Sequence, residues 1–120
     1  LDDHPRLAVK AALHMRRHLR SLNEKLREKG VAALSHGIGI HSGQAVEANI
    51  GSSDRMSYNL VGDTVNLASR IQRLTRTYNT DIILSAATRA GLGDDTAVDK
   101  LSLTRVKGRK APIEIFKLLP

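Results

Sequence analysis

The residues of this chain best suited to chemistry stand together in the run Tyr58-Asn59-Leu60-Val61-Gly62-Asp63-Thr64-Val65-Asn66-Leu67-Ala68-Ser69-Arg70. Asn59 comes three residues before Gly62, a glycine that permits a sharp turn. Asn66 and Arg70 follow it four residues apart, so on a helix they share one face. An amide and a guanidinium placed in this way, next to a helix N-terminus and opposite a polar strand residue, suit a phosphorylated ligand. Arginine takes phosphate oxygens bidentately, and the helix dipole favours the negative charge. From residue types alone, an exposed helix that merely carries an Asn and an Arg stays open as the alternative.

Other candidate groups point to less. His14 and His18 lie four apart on a helical pattern and could share a metal, but no third ligand stands near them, so they read as a solvated pair. Asp63 sits at a strand-to-helix junction and reads as the helix cap rather than a metal ligand. Arg16, Arg17 and Arg20 read as a wet face. A formal charge of +7 and a pI near 10.3 would suit a nucleic acid or an acidic membrane. Phe116, Tyr58 and Tyr78 are the only aromatic residues, so the chain lacks a platform for stacking bases and no nucleic-acid partner is expected. No apolar run approaches the roughly 20 residues of a membrane-spanning helix, so no membrane contact is expected of this segment. With no cysteine, disulfides and thiolate metal sites are excluded, and a reducing, cytoplasmic setting fits.

The elements that must position the central run can be read from periodicity. At 120 residues the chain is long enough for one core and too short for two. Leu7, Ala11, Met15, Leu19, Leu22 and Leu26 form a stripe that predicts a helix from Pro5 to Lys29, stopped by Gly30. Ala33 to His41 reads as a strand whose Gly37 and Gly39 allow close backbone approach on one face. Ala45 to Ile50 and Met56 to Val61 suggest a hairpin around Gly51-Ser52-Ser53-Asp54. A helix follows Gly62 and ends near Tyr78-Asn79. Asp81 to Ser85 reads as a buried strand, Ala86 to Ala90 as a short helix closed by Gly91, and Ala97 to Val106 and Pro112 to Leu119 as two last strands. Together they predict an α+β domain, a mixed sheet with helices on one face.

The segment Gly62-Asp63-Thr64-Val65-Asn66-Leu67-Ala68-Ser69-Arg70 resembles the signature of class III nucleotidyl cyclases, and Gly37-Ile38-Gly39-Ile40-His41-Ser42-Gly43 resembles the strand before it. Val106-Lys107-Gly108-Arg109 with Pro112-Ile113-Glu114-Ile115-Phe116 is similar to the closing hairpin of that family. The likeness runs from about Val31 and extends more loosely through the first helix. It implies a ferredoxin-like domain that works as a homodimer, with active sites built from both subunits.

The resemblance also implies roles. Asn66 orients the ribose, and Arg70 stabilises charge on the α-phosphate as the 3′-hydroxyl attacks and pyrophosphate leaves. Lys107 binds the triphosphate, and Asn59 stands at the purine-reading position. Many adenylate cyclases carry Asp or Thr there, and guanylate cyclases often carry Cys. Asn both accepts and donates, so it could read either purine. ATP is expected on family frequency. The family holds two Mg²⁺ or Mn²⁺ ions on aspartates of N-terminal strands, and neither motif occurs here. Residues 1–120 are therefore expected to be the C-terminal portion of one catalytic domain. Its sheet should be incomplete, its metal ligands should lie outside the chain, and the portion alone should be inactive. The intact domain should make cyclic AMP in the cytoplasm, free or tethered to a membrane. Rival readings are a guanylate cyclase, a non-catalytic nucleotide-binding or dimerising module, and, more weakly, a basic nucleic-acid-binding domain.

Overall fold

Pro5, whose missing N–H costs nothing in a first helical turn, opens helix α1 (His4–Glu28) in the computed structural model of the chain. The structure describes residues 3–44, 46–50, 57–101, 105 and 112–120, with the backbone alone over 46–50 and 57–61. Helix α1 closes at Lys29 and Gly30, as the sequence suggests, with the Val31 N–H donating to the Leu26 carbonyl at 2.8 Å. Its buried face differs from the expected stripe. Pro5, Val9, Ala12 and Arg16 are buried, whereas Leu7, Met15 and Leu22 are 50%, 55% and 43% exposed. The two stripes lie roughly 100° apart, one residue around the helix. The side chains of the inner one are small enough to bring the helix close to the sheet, and its one large member has a partner waiting.

That member is Arg16, expected to be wet and in fact only 6% exposed. Its Nε and Nη2 donate to the two carboxylate oxygens of Asp81, each at 2.8 Å. Nη1 donates to the Leu119 carbonyl at 2.8 Å and Nη2 also donates to that of Leu118 at 2.9 Å. Planar bidentate pairing with backbone acceptors on the remaining N–H groups is what a buried guanidinium requires. Arg17 and Arg20 are exposed as expected. Burial is the largest influence on Asp81 and opposes its charge. The hydrogen bond and charge of Arg16, a backbone hydrogen bond and the charge of His36 together outweigh it, so the carboxyl titrates below its usual value.

The sheet has four strands in the order β1 (Ile38–Ile40), β4 (Ile82–Ser85), β6 (Ile115–Leu118), β5 (Val98–Lys100). Strands β1 and β4 are parallel, while β4 with β6 and β5 with β6 are antiparallel. Strands β2 (Val46–Ile50) and β3 (Ser57–Val61) form the expected hairpin as a separate antiparallel pair, in register from Val46 opposite Val61 to Ile50 opposite Ser57. The class is α+β with a mixed sheet, but the helices divide between its faces. Val9 and Ala12 of α1 pack on Ile82, Leu84 and Leu118, whereas Leu67 and Ile71 of α2 (Asp63–Thr77) pack on Ile83 and Ile115. The unbroken apolar run Ile82-Ile83-Leu84 is the cause. All residues of β4 are buried, which a one-sided sheet cannot provide. Helix α3 (Ala86–Ala90) follows β4 directly and ends at Gly91, as read from sequence.

Helix α2 lies almost on the backbone of β1. A Cβ at Gly39 would come within 2.7 Å of the Gln72 Cα and 2.8 Å of the Ala68 carbonyl oxygen, both helix backbone. Neither neighbour can rotate away, so Gly39→Ala should destabilise the fold by about 1–3 kcal/mol. A urea midpoint equal to that of the parent chain would refute this close seating.

Candidate active site

Three features of β3 and α2 set the site. Strand β3 carries Asn59 opposite Ala48, and three residues later the chain turns at Gly62. Gly62 has φ 123° and ψ 179°, a region essentially reserved for glycine, and it occupies the N-cap that Asp63 was expected to fill. Asp63 is instead the first residue of the helix and the acidic group of its first turn, where the dipole still favours it. The change follows from the backbone: a residue that must turn this sharply cannot carry a side chain, so the carboxylate moves one place inward. Gly62→Ala should cost about 1–3 kcal/mol, seen as a lowered thermal midpoint.

Leu67, Ile71 and Thr75 recur every fourth residue and bury one side of α2. Asn66 and Arg70 each precede one of these by a single position, so they share one flank of the helix. Asn66 is exposed and Arg70 is half-buried. The Asn66 N–H donates to the Gly62 carbonyl at 3.1 Å, which ties the turn to the first helical hydrogen bond. The structure thus brings Asn66 and Arg70 together on one flank and puts Asn59 on the strand that leads into it. Lys107 lies outside the described residues, as do the side chain of Asn59 and the turn at residues 51–54.

A cleft of about 570 Å³ opens at the other end of α2, between Ser35–Gly37 and Gln72, Arg76 and Asn79, and it includes none of the expected site residues. Among the described residues, no group of three or more His, Cys, Asp or Glu could hold a metal ion, so this donor set does not fit the metal pair implied by the resemblance. No helix is long and apolar enough to cross a membrane among the described residues.

The family model described as the adenylate and guanylate cyclase catalytic domain matches residues 2–119. The chain belongs to this family. It is 31% identical over 116 residues to adenylate cyclase 1 of Rhizobium meliloti (strain 1021), covering 97% of this chain and 17% of that protein. It is 30% identical to an adenylate cyclase of Anabaena cylindrica, covering 98% of this chain and 25% of the relative. Among solved structures, the guanylyl cyclase Cya2 superposes with a TM-score of 0.85 at 34% identity, over 98% of this chain and 59% of that one. The adenylyl cyclase CyaB from P. aeruginosa superposes with a TM-score of 0.82 at 28% identity, over 94% of this chain and 57% of that one. The chain thus spans less than two thirds of the cyclases it matches. The expected family and α+β class hold.

Two polar groupings of this cyclase chain escaped sequence reasoning. One is the Arg16–Asp81 pair, whose members are 65 residues apart. The other joins His41, Ser42, Ser85 and Thr88 at the ends of β1 and β4. Ser85, three residues ahead of Thr88 at a helix start, was the available signal for the second, because that spacing is that of a capping serine and the N–H it accepts from.

Proposed function

We propose that residues 1–120 are the C-terminal portion of a catalytic domain that, when intact, converts ATP to cyclic AMP and pyrophosphate. The observation that carries this reading is the shared flank of Asn66 and Arg70 on a helix that begins directly after the strand bearing Asn59, in a chain of cyclase family. In the reaction the ribose 3′-oxygen forms a bond to the α-phosphorus. The bond from that phosphorus to the bridging oxygen of the β-phosphate breaks. Pyrophosphate takes the electron pair, and the hydroxyl proton passes to solvent or a base.

Asn66 orients the ribose by its amide, and Arg70 holds the charge that grows on the α-phosphate oxygens. Lys107 binds the triphosphate. Asn59 faces the purine, where its carbonyl accepts from the adenine amino group. The flank of α2 that carries Asn66 and Arg70 fits a site completed by a second cyclase domain in a homodimer. A divalent cation, Mg²⁺ or Mn²⁺, would be held by residues outside this chain, and the reaction takes place in the cytoplasm. A second reading, conversion of GTP to cyclic GMP, is favoured by the likeness to the guanylyl cyclase Cya2 and by the amide donor of Asn59.

The test is cyclic-nucleotide production from ATP and from GTP with Mn²⁺, comparing this chain with one extended upstream by about 80 residues so as to include strands that could carry metal ligands. Cyclic AMP made only by the extended chain supports the proposal. Cyclic GMP instead would reverse the substrate. Nucleotide binding with no product from either chain would favour a regulatory module.

A further inference from the structure

Where β1 and β4 end side by side, four polar side chains from three parts of the fold converge. His41 Nδ1 and Ser85 Oγ are 2.8 Å apart, and Ser42 Oγ and Thr88 Oγ1 are 2.9 Å apart. Ser85 Oγ accepts from the Thr88 N–H at 3.3 Å, capping α3, and donates to Thr88 Oγ1 at 3.4 Å. Thr88 Oγ1 in turn donates to the Ile40 carbonyl at 3.4 Å. Ser85 is 4% exposed and Thr88 is fully buried. Hydroxyls in such a place cost stability unless partnered, and a partnered set in a low-dielectric interior admits few other geometries. The knot therefore holds the C-terminal end of β1, and the loop leaving it, at one height against β4 and α3.

That loop touches the catalytic helix in its next residue. A Cβ at Gly43 would come within 2.7 Å of Thr64 Oγ1, in the first turn of α2. Gly39, two residues before His41, abuts the same helix at Ala68 and Gln72. Asn66 and Arg70 lie between these two points of support. We propose that Ser42, Ser85 and Thr88 are positioning residues for the cyclase reaction, setting the seat of α2 on β1 and so the placement of Asn66 and Arg70. Thr88 is too deeply buried to touch a nucleotide and acts only through this seat. The inference rests on the cyclase reading above, and its test separates the two.

In the full-length protein, Thr88→Val removes the hydroxyl at nearly constant shape, and Thr88→Ser keeps it. Two readouts are needed: amide hydrogen exchange, and kcat with KM. With Thr88→Val, exchange at Asn66–Arg70 should quicken about tenfold more than at Val9–Arg16 of α1, because opening is local to the supported helix. Turnover should fall about tenfold or more with KM within about twofold, because a small misplacement of a group acting in the transition state costs rate before binding. Thr88→Ser should restore both. Equal quickening in α1 and α2, or a turnover loss that serine does not rescue, overturns the proposal. If the unaltered full-length protein makes no cyclic nucleotide, the cyclase reading fails, and the contrast in exchange between the helices still decides whether the knot holds α2.

Discussion

Replacing Arg70 with alanine in the full-length protein is expected to lower cyclic-nucleotide turnover by about a hundredfold or more, the cost of removing one preorganised donor aimed at developing charge. The fold should survive. Leu67 and Ile71, not Arg70, fix α2 to the sheet, and they are 2% and 0% exposed. Arg70 is half-buried on the flank of a helix that these two residues seat on the sheet. A charge borne on an element already fixed to the sheet is effective in a transition state, because little backbone reorganisation remains to be done. Arg70→Lys should therefore recover little of the loss: an ammonium keeps the charge but not the planar fork. KM should change far less than kcat, since the charge that Arg70 is proposed to oppose is largest in the transition state. A variant with the parent's kcat would remove Arg70 from the mechanism, and a matching fall in thermal midpoint would assign the loss to folding.

The parts of the fold that could be read in the sequence are those written locally. The hairpin of β2 and β3 follows from two short apolar runs about a turn, and α3 from a short helical run with a closing glycine. The close approach at Gly39 was readable because a glycine in a strand has few other uses. The candidate site was readable for the same reason: Gly62, Asn66 and Arg70 lie within nine residues on consecutive elements.

What could not be read depends on partners remote in sequence. The inner stripe of α1 contains an arginine and three small residues, so by hydropathy it loses to the leucine stripe beside it. It wins in the structure because Asp81, far along the chain, turns the arginine into a buried partner. The division of helices between both faces of the sheet was available in principle from Ile82-Ile83-Leu84, an unbroken apolar run rather than an alternation.

Asp81→Ala should be the most destabilising of the single changes, by about 3 kcal/mol, near the low end for breaking a buried ion pair. The low end applies because the Asp81 side chain is 35% exposed and the carbonyls of Leu118 and Leu119 still accept from Arg16. For a domain of this size that corresponds to a thermal midpoint lower by roughly 10 °C. The sign with pH follows from linkage. The carboxyl titrates lower in the folded chain than its ordinary value, so the unfolded chain binds more protons as pH falls. The stabilisation is fully present above the unfolded pKa of about 4 and is lost as pH drops through the folded value. His36 Nε2, 3.6 Å from Asp81 Oδ2, adds its charge to the same carboxylate when protonated. The parent chain should therefore lose stability more steeply than Asp81→Ala as pH falls below about 4 and through the folded value, so that the gap between the two curves narrows. Parallel curves across that range would mean that the pair binding α1 to the start of β4 and the end of β6 contributes nothing through its charge. Arg16 would then be held in place by its two carbonyls alone.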